Sequence, residues 1–163
     1  MDCWTFCTSW ILKKVNQNYE NSDFIFSEVS PWGSLLPKIW IVLLESFESV
    51  EIVHEHKEIF VNLQEDDLPL MEEYETWLKE FEKKWWTYFN EDITISYLED
   101  KLDDYLCMIP IKKWEWSHLV VLDSIDNDTV TLFDNKKWEY EVTVEEFEDL
   151  MNLYNWKYVL FCK

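Results

Sequence analysis

Three residues of this chain have the types and the order of a thiol catalyst. Cys3 opens a helix-like run close to the amino terminus. His118 opens a strand-like run, Ser117-His118-Leu119-Val120-Val121, and Asp134 closes the next, Val130-Thr131-Leu132-Phe133-Asp134. A cysteine thiol is mostly protonated at neutral pH; a helix N-terminus and a neighbouring imidazolium both lower its pKa. Cys3 would have the first influence. His118 would supply the second and then protonate a leaving group. Asp134 would accept from the other ring nitrogen and fix the tautomer. The chemistry is acyl transfer through a thioester. Each residue also has a plainer reading: a small core cysteine, a hydrogen-bonded strand histidine, a turn-forming aspartate. The triple in this order favours the chemical one. Cys7 is the rival nucleophile, but one turn further along its sulfur would face the core.

These residues need particular elements beneath them. Cys3, Phe6, Cys7, Trp10, Ile11 and Val15 keep the spacing of one helical face over 3–15, with Asp2 as N-cap. Residues 16–34 read as a loop and 35–47 as a second, buried helix. Residues 50–54 read as a strand. A long helix runs from Glu65-Asp66-Asp67 to about Phe89, with Leu68, Met71, Tyr74, Leu78, Phe81 and Trp85 as its inner stripe. Five strands follow at 93–98, 105–109, 117–125, 129–134 and 137–142. Asp126-Asn127-Asp128 turns the chain between the third and fourth. Pairing centred on Asn127 puts Asp134 diagonal to His118 on one face. Thr143-Val-Glu-Glu is a capping box for a helix to about Tyr154, and a last strand covers 156–162. The sum is an α+β domain over 1–163.

Composition narrows the function. The chain has 163 residues, a formal charge of −20 and no arginine. A nucleic-acid partner would need a basic footprint, so that class is excluded. The field favours neutral or cationic ligands. A single glycine, Gly33, leaves no phosphate-cradling loop or dinucleotide fingerprint. Cys3, Cys7, Cys107 and Cys162 lack zinc-type spacing. No signal peptide is visible, and the run from Ile39 to Leu44 is too short to span a bilayer, so a cytoplasmic protein with reduced thiols is expected.

Asp2-Cys3 at a helix start, then Ser-His-Leu-Val-Val-Leu-Asp-Ser-Ile-Asp-Asn-Asp-Thr-Val-Thr-Leu-Phe-Asp, resembles the papain-like cysteine-protease superfamily. The likeness is to the double-glycine peptidases that trim bacteriocin leaders. It extends to stand-alone homologues in antibiotic biosynthesis, the butirosin-type acyltransferases and amide-forming enzymes of nonribosomal peptide pathways. Thr94-Ile-Ser-Tyr-Leu before the histidine and Thr143-Val-Glu-Glu-Phe-Glu-Asp-Leu after the aspartate match that second group; residues 35–90 match neither. The resemblance implies a papain-like fold with N-terminal helices packed on an antiparallel sheet, a Cys3-His118-Asp134 triad and no cofactor. The partners it implies are an amine acceptor and a small-molecule or peptidyl acyl donor, carrier-bound in some relatives. Carrier proteins are themselves acidic and would be repelled by this chain. Two departures stand out. The peptidases place a glutamine before the cysteine as an oxyanion donor, where only Met1 and Asp2 precede Cys3. They also commonly follow the cysteine with glycine, where this chain has Trp4. A lost oxyanion donor costs about a hundredfold in rate. Both departures count against general proteolysis and leave open an acyltransferase with a specialised acyl donor, or an inactive homologue. A peptidase or amidase with the same triad is the alternative. A binding or immunity-type protein with an aromatic groove is the non-enzymatic one.

Eleven Trp, ten Phe and eight Tyr exceed ordinary core needs. Trp4, Trp116 and Trp32 are candidates for a cleft wall, and Trp116 shares a strand face with His118. Trp85-Trp86 and Trp114 could stack on a flat ligand. His54-Glu55-His56 puts two imidazoles on one strand face, a weak metal pattern whose plainer reading is a polar strand edge.

Overall fold

The computed structural model describes residues 3–15, 29–30, 33–34, 43–55, 86–90, 92–113, 116–152 and 158–163, together with 72, 75, 76, 79, 80 and 83. Helix α1 is Cys3–Val15. Strand β1, Val29–Ser30, pairs antiparallel with β2, Gly33–Ser34. Strands β3, Val50–His54, and β4, Trp86–Asn90, come next. Helix α2 is Ile95–Leu102. Strands β5, Leu106–Lys113, β6, Trp116–Asp126, β7, Thr129–Asp134, and β8, Trp138–Thr143, follow. Helix α3, Val144–Asn152, and strand β9, Tyr158–Cys162, complete the described elements.

This is an α+β arrangement. One seven-stranded sheet runs β4-β3-β9-β5-β6-β7-β8. Every pairing is antiparallel except that of β4 with β3, which is parallel. The last strand β9 sits between β3 and β5, so the middle of the sheet joins distant parts of the chain.

Strand alternation gives the sheet two apolar faces. On one, Phe6, Cys7, Ile11 and Leu12 of α1 pack with Met108, Leu119, Val121, Phe133 and Leu160. On the other, Leu98 of α2 and Phe147 and Met151 of α3 pack with Ile109, Ile111, Val120, Leu122, Leu132 and Phe161. Both faces are covered, which is why β9 is buried along its whole length. The capping box ahead of α3 is reciprocal: Glu146 N–H donates to Thr143 Oγ1 at 3.1 Å, and Thr143 N–H donates to Glu146 Oε2 at 3.0 Å.

Several elements differ from the sequence expectation. Residues 29–30 and 33–34, within the expected loop 16–34, form β1 and β2, and residues 45–47, expected to end the second helix, are turn and bend. Residues 93–98 are not a strand: Thr94 Oγ1 accepts the Tyr97 N–H at 3.2 Å and starts α2. The alternation Ile93, Ile95, Tyr97 competes there with the helical spacing Ile95, Leu98, Leu102, and the cap with fully buried Leu98 decides for the helix. The long helix does not reach Phe89. Helical backbone is present at 72, 75–76, 79–80 and 83, but residues 86–90 are β4. Pairing with β3 overrides the helical period there, and Trp-Trp-Thr-Tyr-Phe is β-prone. The proposed inner stripe from Leu68 to Trp85, residues 35–42 of the second helix and the Asp2 cap lie outside the described residues. Among the described residues, no helix is long and apolar enough to cross a membrane.

Candidate active site

Helix α1 runs alongside β6 in the same direction. The Cys7 thiol donates to the Leu119 carbonyl at 3.4 Å, and the Lys14 ammonium lies 3.5 Å from Asp123 Oδ1. Between these contacts the helix advances about 10 Å and the strand about 13 Å. Cys3 precedes Cys7 by one helical turn. The same pitch brings it level with residues 117–118 of β6, at about 6 Å from Cys7 along the axis. Cys7 is small, which lets the helix approach the strand backbone this closely.

His118 and Asp134 come together. Nε2 of His118 lies 3.4 Å from Oδ2 of Asp134; His118 is buried and Asp134 has no exposed surface. Directly opposed strand residues share a face, so His118, paired with Ile111, stands on the side of Val120 and Leu132, the face of the sheet opposite α1 and Cys3. Pairing of β6 with β7 stops at Val121↔Phe133. Among the described residues, no strand pairs with the β7-facing edge of β6 beyond Val121.

Donors converge on the Asp134 carboxylate. Oδ1 accepts the backbone N–H of Lys136 at 2.7 Å and that of Lys137. The Tyr140 hydroxyl hydrogen-bonds the same carboxyl group. Burial, then the charge and hydrogen bond of Asp134, push the Tyr140 phenol well above its usual value, so it stays a donor. Three donors and no exposure suit a fixed carboxylate whose second oxygen faces an imidazole. Sequence reasoning missed Tyr140. The register Asp134↔Trp138 and Leu132↔Tyr140 puts it one same-face step from Asp134. The signal was the turn Asn135-Lys136-Lys137, which fixes that register.

The cysteines separate by environment. None is in a disulfide, and Cys3 is half-buried while Cys7, Cys107 and Cys162 are buried. Burial drives the Cys107 and Cys162 thiols far up, which leaves them inert. Cys7 is committed to the Leu119 carbonyl. Cys3 is therefore the accessible thiol, at a helix start.

Of the proposed cleft rings, Trp32 lies outside the described residues, Trp4 is placed in α1 and Trp116 in β6. Of the metal pattern, the Glu55 carboxylate accepts the Ile93 N–H at 3.0 Å, His54 belongs to β3, and His56 lies outside the described residues. Trp86 belongs to β4, while Trp85 and Trp114 lie outside the described residues. A separate cleft of about 610 Å³ opens at the other end of α1, lined by Val15, Phe47, Leu102 and Leu106 with Glu48, Asp103 and Asp104.

No family model matches this chain, and no curated protein or solved structure matches it either.

Proposed function

We propose that this chain is a cysteine-nucleophile acyltransferase of papain-like type, forming an amide from a thioester intermediate in a specialised biosynthetic pathway. The observation that carries the reading is the buried His118–Asp134 pair; the half-buried thiol of Cys3 at the head of α1 is the nucleophile it would serve. A carboxylate held by three donors orients an imidazole and stabilises its cationic form. The end of β6–β7 pairing at Val121↔Phe133 is where that imidazole would reach around the strand to Cys3.

The reaction runs in two halves. The Cys3 thiolate attacks the acyl carbon, a C–S bond forms, and the leaving group takes its proton from the His118 imidazolium. An amine then attacks the thioester while neutral His118 accepts its proton. The C–S bond breaks and Cys3 leaves as thiolate, restoring the pair. The Cys3 backbone N–H, at the first turn of α1, is a donor for the tetrahedral oxyanion. The chain's charge of −20 favours a cationic amine as acceptor.

The test uses S-acyl-N-acetylcysteamine thioesters as donors, with and without an added alkylamine. The reading expects an acyl mass on Cys3 that is discharged to the amide when amine is present. Discharge to the free acid alone would make the protein a hydrolase with the same triad. No acylation of Cys3 by any donor would remove the enzymatic reading and leave an aromatic binding protein.

A further inference from the structure

Trp138 is 64% exposed, and its backbone sits at φ 65. Left-handed backbone is uncommon for any residue with a Cβ and is an outlier for a bulky one. Glycine is the ordinary occupant of such a position in a tight hairpin. The turn is otherwise well built, since the Asp134 carboxylate holds the N–H groups of Lys136 and Lys137.

The strained backbone decides which side the ring takes. Trp138 pairs with Asp134, and in a regular strand it would share the face of Asp134 and Tyr140. Tyr140 does pack on that face, against the core beneath α2 and α3. The Trp138 ring instead meets Phe6 of α1, edge to face, with centroids 5.6 Å apart. Phe6 lies three residues after Cys3, and residues at that spacing neighbour one another on a helix. An exposed indole thus packs on Phe6 in the first turn of α1, the turn that also carries Cys3. It is turned there by a backbone conformation that stability alone would not select.

We infer that Trp138 is the platform on which the acyl donor lies, and that the donor ends in an aromatic or flat apolar group. The inference rests on Cys3 as nucleophile. An indole face offers a large apolar area with little side-chain entropy to lose, and offset or edge-on rings stack on it.

Paired haloacetamides test the ring without a known substrate. Iodoacetamide and N-benzyl-iodoacetamide react alike: an S–C bond forms at Cys3, iodide leaves, and the thiol proton goes to solvent. Rates at Cys3 are compared by mass spectrometry at pH 9, where an ordinary thiol with a pKa of about 8.5 is already largely thiolate. The ratio therefore reads the ring even if Cys3 proves not to be activated, which a pH profile with plain iodoacetamide decides separately. The expected benzyl-to-plain ratio falls about fivefold in Trp138→Gly and is largely kept in Trp138→Phe. Trp138→Gly should also keep or raise the urea midpoint, because glycine accepts the positive φ. An unchanged ratio in Trp138→Gly would overturn the inference. So would failure of both reagents at pH 9, since no open path would then pass the ring.

Discussion

His118 and Asp134 share a face of the sheet because β6 carries one extra residue. The turn at Asn127-Asp128 pairs Asp126 with Thr129, Ile125 with Val130 and Ser124 with Thr131. Continued unbroken, that register would set His118 opposite Lys137 and put Asp134 on the other face. The register shifts between Leu122 and Ser124, and from there Leu122 pairs with Leu132 and Val121 with Phe133. Asp123 is the bulged residue, and it reverses the parity of everything before it in β6.

Deletion of Asp123 should therefore be far worse than its substitution. The deletion turns Leu119, Val120, Val121 and Leu122 each to the wrong face, and cooperative unfolding should be lost. Asp123→Ala removes only a long contact to exposed Lys14 and should shift stability by no more than about 0.5 kcal/mol. Urea titrations followed by circular dichroism compare the two. Equal effects would mean that the bulge does not set the register.

Removing the Asp134 carboxylate leaves the Lys136 and Lys137 N–H groups and the Tyr140 hydroxyl with a lost acceptor. Asp134→Ala should cost about 2–4 kcal/mol in urea unfolding. Tyr140→Phe removes one donor and keeps the ring, so about 1 kcal/mol is expected. A loss below 0.5 kcal/mol for Asp134→Ala, on the same scale, would contradict the convergence of donors.

The Glu51 cluster gives a pH dependence. The Tyr105 hydroxyl donates to Glu51 Oε1 at 2.6 Å, and Lys101 lies 2.7 Å from Oε2. That bond to Glu51, then burial, pushes the Tyr105 phenol up from 10.0 to about 12. A raised folded-state pKa means that the unfolded chain loses its proton first. The contribution is thus complete below pH 10 and lost as pH rises toward about 12. Glu51 works in the opposite sense: burial opposes its ionisation, but the bonds from Lys101 and Tyr105 outweigh that and lower its pKa. Its contribution is present above about 4.5 and lost as pH falls. Tyr105→Phe should flatten the alkaline limb of stability against pH. An unchanged alkaline slope would show that Tyr105 does not couple to folding.

Much of this arrangement was legible in the sequence, and the failures have physical causes. Cys3–Val15 follows from its helical period, and Val50–His54 and the hairpin strands around Asn127 from short apolar, β-branched runs bounded by turn signals. Asn127 takes φ 54, which asparagine tolerates well. The pairing of His118 with Asp134 on one face was reached from a three-residue turn, whereas a two-residue turn and the Asp123 bulge produce it; side-chain alternation cannot distinguish the two routes. Residues 95–102 fit both periods until Thr94 caps the helix. The parallel addition of β4 to β3 depends on a partner far away in the chain, which local pattern does not encode. Tyr140 beside Asp134 and Trp138 against Phe6 were hidden for a related reason: both placements depend on the register across the Asn135-Lys136-Lys137 turn.

The central claim is an activated thiol at Cys3, and its alkylation by iodoacetamide across pH 4–9 tests it most directly. Wild type is compared with His118→Ala, with labelled sites assigned by mass spectrometry. Labelling selective for Cys3 is expected, with an apparent pKa well below the free value of about 8.5 that rises when His118 is removed. Labelling of Cys3 that follows an ordinary thiol profile, and is the same in His118→Ala, would contradict that claim.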